Sequence, residues 1–532
     1  MNKKSSCNFM LGRRDLLGIS VAAVAASAWP GRFAIAKNAA PMARTTGGHV
    51  RGTFDSGIVT FKGIRYGADT RLRRFMPPLK PKPWRGVHDA FAYGPSCPQS
   101  RGAEDKTSED CLFLNVWTPA LRDGGKRTVM VYIHGGAYSN GSGSANIYDG
   151  VNLCKRGNVV VVTLNHRLNA FGYLYLGAQG SAQFADSGNA GQLDLILALE
   201  WVRDNIAEFG GDPHSVMVFG QSGGGAKIAT MMAMPMAAGL FHRATTMSGQ
   251  QLTASGPLHA AQRAEVYLAA LGVSKDKLDD IKTVPTDKLV EALKATDPII
   301  GSGGVYFGPV LDERTLVRHP FYPDAPAQSA GIPMMIGNTH DETRAFITDP
   351  GVYTMTWDEL PARLATNMRA DIMPSLVIEQ YKTWFPGISP TDLFFLATTA
   401  ARSWRAAIVE DELRAQAGTP AYAYQVDWPT PDDKRRAQHM TDIPLAFDNT
   451  DKAGAVTGNS ESARAMAAVV SETFIAFAKT GNPNNKILPE WKPYTLPNRQ
   501  TMVFDLPPHL ENDPRGEQRR LFEKAPFIQQ GT

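Results

Sequence analysis

Unbroken apolar runs alternate with amphipathic stretches along the first half of the chain. Residues 129–133 and 159–164 contain almost no polar side chains, which is typical of strands that are buried on both faces of a parallel sheet. Residues 193–209 repeat their apolar positions at steps of four, three and four, as one face of a helix does. A third apolar run, 216–219, follows. This alternation predicts an α/β fold with a mostly parallel central sheet and helices on both faces.

The remaining pattern extends this sheet in both directions. A β-hairpin is predicted over residues 49–67, with Asp55-Ser56-Gly57 as its turn. Further strands are predicted at 112–117, 244–248, 333–337, 421–426 and 501–504, the last closing the sheet, and further helices at 226–232, 258–271 and 460–479. The segments around 255–330 and 350–415 are helical and irregular, and we interpret them as insertions, the second as a cap above the sheet.

The first 36 residues have the pattern of an export signal and not of the fold. A basic region with the pair Arg13-Arg14 precedes a ten-residue apolar stretch, 19–28. Ala34-Ile35-Ala36 then gives a cleavage site after Ala36, and Ala26-Ser27-Ala28 gives a second candidate. The arginine pair resembles a twin-arginine signal, so the sequence predicts a mature domain over 37–532 and a periplasmic or secreted location.

An uncleaved membrane anchor is the alternative for this segment. A bilayer needs about 20 apolar residues in a row, and the stretch has ten. No later segment is long and apolar enough. We therefore expect no stable membrane insertion after the signal is cleaved.

The charge balance of the chain is different once residues 1–36 are left out. The chain of 532 residues has 55 Lys and Arg and 51 Asp and Glu. Residues 1–36 hold five and one of these, which leaves 50 of each in the mature part. A balanced charge lacks the basic bias of nucleic-acid-binding proteins, so no nucleic-acid partner is expected.

Four cysteines are present, and one of them, Cys7, lies in the signal. Cys97 and Cys111 flank a polar, charged loop, which in an exported protein predicts a disulfide. Cys154 is left over as a buried thiol. Neither cysteines nor histidines have metal-ligand spacing, so no metal is expected.

The sequence Gly220-Gln221-Ser222-Gly223-Gly224 lies between an apolar run and a helical stretch. G-x-S-x-G between a strand and a helix is the nucleophile elbow, a sharp turn that points the serine hydroxyl away from the sheet. Gly220 and Gly224 have no Cβ, so strand and helix can cross closely there. A glycine turn with a capping serine is the alternative. Ser222 is the candidate nucleophile.

A serine hydroxyl needs a base within hydrogen-bonding reach, and the base needs an acid to orient it. Chains with such an elbow order these residues as Ser, then Asp or Glu, then His. Beyond Ser222, only His340 and His439 follow a predicted strand. His340 directly precedes Asp341 and Glu342, which would crowd acid and base into one turn. We therefore expect His439 as the base and Glu342 as the acid, with Asp341 as the alternative acid.

Attack on a carbonyl places negative charge on its oxygen, and this charge needs N–H donors. The amide of Gly223, next to the nucleophile, supplies one. The turn His134-Gly135-Gly136-Ala137 follows a predicted strand and supplies others, because its small side chains leave the amides accessible. A plain strand-terminating turn is the alternative. The candidate oxyanion donors are the amides of Gly136, Ala137 and Gly223.

At this point the chain resembles the type-B carboxylesterase/cholinesterase family. Two segments are similar to its signatures: residues 109–119, EDCLFLNVWTP, and residues 209–224, FGGDPHSVMVFGQSGG. Residues 165–172, 338–342 and 479–484 are also similar to family blocks. The similarity extends from about residue 48 to residue 504.

The resemblance implies an α/β-hydrolase fold and a bacterial serine carboxylesterase that needs no cofactor. Its site residues would be the triad Ser222, Glu342 and His439, the oxyanion donors Gly136, Ala137 and Gly223, and the bridge Cys97–Cys111. It favours Glu342 over Asp341 more strongly than spacing does.

Several positions depart from the family pattern. Gln221 and Gly223 stand where the family commonly has Glu and Ala, and Ala137 replaces its third glycine. Thr343 and Met440 stand where glycine is usual. None of these changes removes a catalytic side chain, but loss of the Glu charge argues against a choline-like substrate.

The expected partner is a small-molecule ester, with short-chain alkyl or aryl groups, hydrolysed through an acyl-enzyme intermediate. Two alternatives stay open. An interfacial lipase would use the tryptophan-bearing segment 351–415 as a lid. A non-catalytic binding protein could use the same fold, although such proteins usually lose a triad residue. The oligomeric state does not follow from the sequence.

Overall fold

The computed structural model describes residues 40–100 and 106–531, and the predictions for residues 1–36 lie outside this range. The strands are β1 (Met42–Thr45), β2 (Gly48–Arg51), β3 (Thr53–Asp55), β4 (Ile58–Arg65), β5 (Val87–Asp89), β6 (Phe113–Thr118), β7 (Arg127–Ile133), β8 (Val160–Leu164), β9 (Gly211–Gln221), β10 (Arg243–Met247), β11 (Met334–Thr339), β12 (Ala421–Val426), β13 (Gln500–Phe504) and β14 (His509–Asn512).

Helices occur between most of these strands. They are α1 (Val151–Gly157), α2 (Asn169–Tyr173), α3 (Ala190–Asn205), α4 (Gly223–Met231), α5 (Pro257–Leu271), α6 (Thr286–Ala292), α7 (Leu360–Asn367), α8 (Pro374–Trp384), α9 (Pro390–Thr399), α10 (Arg405–Gln416), α11 (Asp442–Ala446), α12 (Glu461–Thr480) and α13 (Gly516–Phe522). Short 3-10 turns and one π turn, Ala400–Trp404, connect them.

Eleven strands form one sheet, in the order β14-β13-β12-β11-β10-β9-β7-β8-β6-β4-β3. The seven strands from β13 to β8 run parallel, and antiparallel strands flank them on both sides. The carboxyl ends of β9, β11 and β12 therefore lie at the same edge of the sheet, where ligands bind in open α/β sheets.

Alternating side chains of the central strands enter two separate apolar cores. In β7, Val129 and Val131 pack on the face that α3 covers, whereas Met130 and Tyr132 pack on the face that α12 covers. All four are fully buried. The prediction of a mostly parallel sheet, buried on both faces, is confirmed.

The predicted hairpin forms between β3 and β4, which pair antiparallel across the turn. The first residues of the predicted segment are not part of this hairpin, because they lie in β2, which joins β1 and β5 in a separate three-stranded sheet. The prediction that residues 501–504 close the sheet is wrong, since β14 pairs with β13 and forms the edge. Backbone hydrogen bonds alone can hold such an edge strand, and β14 is mostly exposed and polar.

The segment between β11 and β12 contains α7, α8, α9 and α10. The first three share a third apolar core, to which Leu360, Tyr381 and Leu393 contribute buried side chains. Helix α10 differs, because it packs directly against β11 and β12. Between β10 and β11 the chain forms α5 and α6 and then an irregular stretch.

The predicted Cys97–Cys111 disulfide is not formed in the structure. Both residues are buried free thiols. The neighbouring Cys97 and burial raise the pKa of the Cys111 thiol, and the Cys97 sulfur accepts the amide of Leu168 at 3.2 Å. Cys154 is a buried thiol, as expected. Over the described ranges, no helix combines the length and apolar character that a membrane crossing requires.

Candidate active site

Ser222 stands at the turn between β9 and α4. Its backbone has φ +57° and ψ −127°, a conformation that residues with side chains rarely adopt and that concentrates at functional turns. The Ser222 amide donates to the carbonyl of Met247 at 2.7 Å, and its carbonyl accepts the Ala226 amide at 3.1 Å. These bonds fix the turn. The side chain is half-buried and lines a cavity of about 180 Å³.

The glycines of the elbow permit a close crossing of strand and helix. A Cβ on Gly224 would stand 2.0 Å from the carbonyl oxygen of Ile133 in β7, and one on Gly220 would stand 2.7 Å from it. Neither distance is possible between real atoms. Only glycine lets α4 begin this close to the sheet and so bring Ser222 to its edge.

His439 and Glu342 meet at the ends of two neighbouring strands. Glu342 follows β11 in a 3-10 turn, and His439 lies in the loop between β12 and α11. The Nδ1 atom of His439 is hydrogen-bonded to Oε2 of Glu342. The second oxygen of Glu342 accepts the Thr339 amide at 2.8 Å and the Asn338 side chain at 3.3 Å. The carboxylate is thus held at both oxygens.

Burial would raise the pKa of Glu342, but the charge and hydrogen bond of His439 and the Thr339 amide outweigh it and lower that pKa. The alternative acid, Asp341, faces away from His439. Its carboxylate bonds to His340 at 3.0 Å and to Arg344 at 3.0 Å. The structure therefore brings Glu342, and not Asp341 or His340, to His439.

The other ring nitrogen of His439, Nε2, is buried and has no hydrogen-bond partner among the described residues. His439 lines the same cavity as Ser222. The ring of Phe346 lies 4.6 Å from the imidazole, centre to centre, and limits its movement. A histidine that is held at Nδ1 and unpartnered at Nε2 is arranged to accept a proton at Nε2.

The predicted oxyanion residues lie on two elements that meet beside Ser222. Ala137 and Gly223 line the cavity, whereas Gly136 precedes Ala137 in the chain and does not line it. Gly136 and Ala137 have φ values of +84° and +51°. The Gly223 amide is in the first turn of α4, where amides have no acceptor within the helix. A Cβ on Gly223 would come within 2.1 Å of the Ala137 carbonyl oxygen, so the two segments are in close contact.

Lys227 is a residue of this site that the sequence reasoning missed. It is fully buried in α4, and its ammonium donates to the carbonyls of Ala137 at 2.7 Å and His134 at 3.2 Å. It also lies 5.4 Å from the ring centre of Tyr138. Burial lowers the pKa of Lys227 to about 7. A lone charge in the otherwise apolar helix 226–232 was the signal that could have identified it.

Asp442 is a second missed residue. It is fully buried at the start of α11, where its Oδ2 accepts the hydroxyl of Tyr424 at 3.2 Å. Burial, followed by the negative charge of Glu342, raises its pKa to about 7. Asp442 therefore adds a carboxyl group beside the Glu342–His439 pair that can be neutral near physiological pH.

This arrangement combines a nucleophile, a base and an orienting acid with amide donors at one cavity. Such a set can perform acyl transfer without a metal. Within the described part of the chain, no group of three or more His, Cys, Asp or Glu side chains could hold a metal ion.

Comparisons with known proteins agree with this geometry. A family model described as the carboxylesterase family matches residues 39–522. The para-nitrobenzyl esterase of Bacillus subtilis is 35% identical over 495 residues, which cover 89% of this chain and 96% of that protein. The phenmedipham hydrolase of Pseudarthrobacter oxydans is 30% identical over 87% of this chain and 94% of its own length.

A similar fold is found in a solved structure. The crystal structure of a carboxylesterase from Geobacillus stearothermophilus superposes with a TM-score of 0.81, at 36% identity, over 90% of this chain and 99% of that one. The chain therefore belongs to the carboxylesterase family and is a serine carboxylic ester hydrolase with the α/β-hydrolase fold.

Proposed function

We propose that the protein hydrolyses esters with short-chain alkyl or aryl groups, with Ser222 as nucleophile, His439 as general base and acid, and Glu342 as the residue that orients His439. One observation carries the proposal. His439 is bonded to Glu342 through Nδ1, its Nε2 has no hydrogen-bond partner in the described part of the chain, and the residue lines the same cavity as Ser222.

The reaction follows from these positions. As the Ser222 hydroxyl attacks the ester carbonyl carbon, Nε2 of His439 takes its proton, and Glu342 stabilises the imidazolium that forms. Collapse of the tetrahedral intermediate breaks the bond to the alcohol, which leaves with the proton from His439. Water then repeats the sequence on the acyl-enzyme and releases the carboxylic acid and free Ser222.

The amides of Gly136, Ala137 and Gly223 would stabilise the intermediate's negative oxygen. Each such donor contributes about 3 kcal/mol to the transition state. Lys227 supports the arrangement because it binds the Ala137 carbonyl, and so restricts the peptide segment that carries the neighbouring amides.

Cavity size supports small substrates. The cavity at Ser222 is about 180 Å³, below the roughly 300–1,000 Å³ typical of sites for drug-sized ligands. A neighbouring cavity of about 500 Å³ shares Ala137, Tyr138 and Tyr306 with it. The two could take the two parts of one ester.

The test is a panel of short-chain, long-chain and aryl esters with the wild type and Ser222→Ala. Short-chain and aryl esters should be hydrolysed, and Ser222→Ala should lose at least about 10⁴-fold in kcat, because the hydroxyl that would form the acyl-enzyme is removed. Ser274→Ala, at an exposed serine, is the matched control and should keep its rate. An unchanged rate in Ser222→Ala would reject the mechanism, and activity only above the solubility limit of a long-chain ester would favour the lipase.

For the amino terminus, we propose a twin-arginine signal that is cleaved after Ala36 and delivers the protein to the periplasm or the medium. The proposal extends to Cys97 and Cys111, which an oxidising compartment would join in a disulfide. Replacement of both Arg13 and Arg14 by Lys should leave the protein uncleaved in the cytoplasm. A mass spectrum that shows an intact signal on the exported protein would contradict the cleavage. One that shows both Cys97 and Cys111 alkylated would contradict the disulfide.

A further inference from the structure

Two arginines, Arg369 and Arg402, line the catalytic cavity together with Ser222 and His439. Arg369 lies in the connection between α7 and α8, and Arg402 lies in the π turn between α9 and α10. The mechanism proposed above gives neither of them a role, because hydrolysis of a neutral ester needs no cation beside the triad.

Neither arginine has an acidic side chain in direct contact among the described residues. Among the residues that the structure describes, neither arginine forms an ion pair with an Asp or Glu. Arg369 donates to the side-chain oxygen of Gln530 at 2.5 Å. Arg402 lies over the ring of Phe346, at 5.2 Å from its centre, and that ring in turn contacts His439.

The charge of Arg402 acts on Arg369. Burial, followed by the charge of Arg402, lowers the pKa of Arg369 to about 9. Burial also lowers the pKa of Arg402, which the charge of Glu342 opposes. Two neighbouring, partly buried cations with no carboxylate in direct contact are unfavourable in the free protein, and a bound anion would relieve this cost.

The backbone at Arg402 is unusual. Its φ of −113° and ψ of −115° are not helical, although the residue lies between α9 and α10. π turns within helices and sparsely populated backbone conformations occur preferentially at functional sites. Here the π turn places Arg402 at the cavity, beside Ser403 and Ala406.

Gln250 provides an independent polar group in the same cavity. Its side chain is 7% exposed, and neither its Nε2 nor its Oε1 has a hydrogen-bond partner among the described residues. A buried polar group of this kind requires a partner, and a polar ligand in the cavity could supply one.

We propose that the substrate is an ester that carries a free carboxylate, which Arg369 and Arg402 bind while Ser222 attacks the ester carbonyl. The inference rests on the proposed esterase function and names the substrate class of the same site. Guanidinium groups suit this ligand, because their planar N–H pairs match the two oxygens of a carboxylate. The carboxylate could belong to the acyl part, as in a half-ester of a dicarboxylic acid, or to the alcohol part.

Two matched pairs of esters test the proposal and separate these two sources. Monoethyl glutarate against ethyl pentanoate places the carboxylate on the acyl part, and 4-carboxyphenyl acetate against 4-acetylphenyl acetate places it on the alcohol part. In at least one pair, we expect the wild-type kcat/KM for the charged ester to exceed that for the neutral ester by roughly tenfold or more, a ratio that hydrogen bonds to a charged group can supply.

In Arg369→Gln and Arg402→Gln, the ratio of charged to neutral kcat/KM should fall roughly 10- to 100-fold. Arg402→Lys should keep part of the preference, because it keeps the charge but loses the planar donor pair. Arg363→Gln is the matched control, since Arg363 lies in α7 and pairs with Asp349 at 2.9 Å. Its ratio should equal that of the wild type.

Inhibition by free glutarate gives a readout that does not depend on the chemical step. Glutarate should compete with ethyl pentanoate, and its inhibition constant should rise roughly tenfold in Arg402→Gln. The inference is overturned if the wild type hydrolyses the neutral esters but shows no preference for either charged ester, or if the ratio survives both arginine substitutions. Hydrolysis of none of the four esters would instead overturn the proposed function itself.

Discussion

Lys227 forms no ion pair with an acidic residue in the described ranges, and its hydrogen bonds go to main-chain carbonyls. One of these belongs to Ala137, the residue whose amide would bind the oxyanion. When Lys227 is protonated, its ammonium both fixes the loop and polarises its peptide groups, since a charge acts strongly where water is excluded. The position of Ala137, whose amide would bind the oxyanion, thus depends on Lys227, which the mechanism does not bring into contact with the substrate.

We expect Lys227→Met to lower kcat by roughly 10- to 100-fold, because the Ala137 segment loses its donor and its amides move relative to Ser222. KM should change less. Steady-state kinetics on a short-chain ester would measure both. Lys294→Met, at an exposed lysine, is the matched control. A kcat within twofold of the wild type in Lys227→Met would show that the loop holds its geometry without the ammonium.

At the scale of single residues, the sequence offered candidates where a local motif or chain order points to them, and it missed residues brought in by tertiary contacts. Ser222 was predicted from its five-residue turn and His439 from chain order and its position after a strand, whereas Glu342 was preferred to Asp341 mainly through the family resemblance. Arg369 and Arg402 belong to no motif. They become neighbours of Ser222 only because the helices after β11 fold back over the end of the sheet, and no periodicity in the chain records this.

The element on which the site depends is the β9–α4 connection. Strand β9 pairs with β7 on one side and β10 on the other, so its end is fixed in the middle of the parallel sheet. Helix α4 then begins against the backbone of β7. The position of Ser222 is thus defined by rigid elements on both sides.

Gly224→Ala should abolish activity and destabilise the fold by roughly 1–3 kcal/mol or more, because the new methyl group would overlap the Ile133 carbonyl and push α4 away from the sheet. Gly331→Ala is the control, since a Cβ there meets nothing within 4 Å. Its stability should stay within about 0.5 kcal/mol of the wild type. Denaturant unfolding and ester hydrolysis measure the two effects, and a stable, active Gly224→Ala would contradict this account of the elbow.

Elements were predictable where burial dictates the pattern. The central strands are apolar throughout because both of their faces are covered, and the helix at 461–480 has one apolar face for one core. Strand β14 carries no such pattern, because an exposed edge strand needs only backbone pairing. Residues 405–415 were interpreted as part of a cap, and α10 packs against β11 and β12. The sequence does not reveal this contact, because α10 buries charged residues such as Glu410 and Arg414 and so has no apolar face.

For the whole molecule, buried acids link stability to pH. Burial raises the pKa of Glu410 to about 8. Its Oε1 accepts the amide of Gln251 at 3.0 Å, and its Oε2 has no partner among the described residues. Between about pH 4.5 and 8 the folded protein keeps a proton on Glu410 that the unfolded chain releases. The contribution of this group to stability is therefore present below about pH 4.5 and is lost as pH rises to 8.

Glu410→Gln should melt at a higher temperature than the wild type at pH 8, by roughly 2–6 °C, and at about the same temperature at pH 5. The two proteins are compared at each pH because the titration of groups far from Glu410 then cancels. Thermal melts at several pH values would measure it. Glu291→Gln, at an exposed residue, should show no such trend. A constant difference across the pH range would mean that Glu410 is charged in the folded protein.

The contact between Ala137 and Gly223 joins two segments that are far apart in sequence, so a substitution in one affects which substitutions the other tolerates. Because a methyl group at position 223 would need the space that the Ala137 carbonyl already occupies, each position limits which residue the other tolerates. Because of this epistasis, Ala at position 223 is tolerated only after the glycine-rich turn has been altered, both in natural evolution and in a directed-evolution library. Randomising the two codons together is the shorter route to new variants of this catalytic centre.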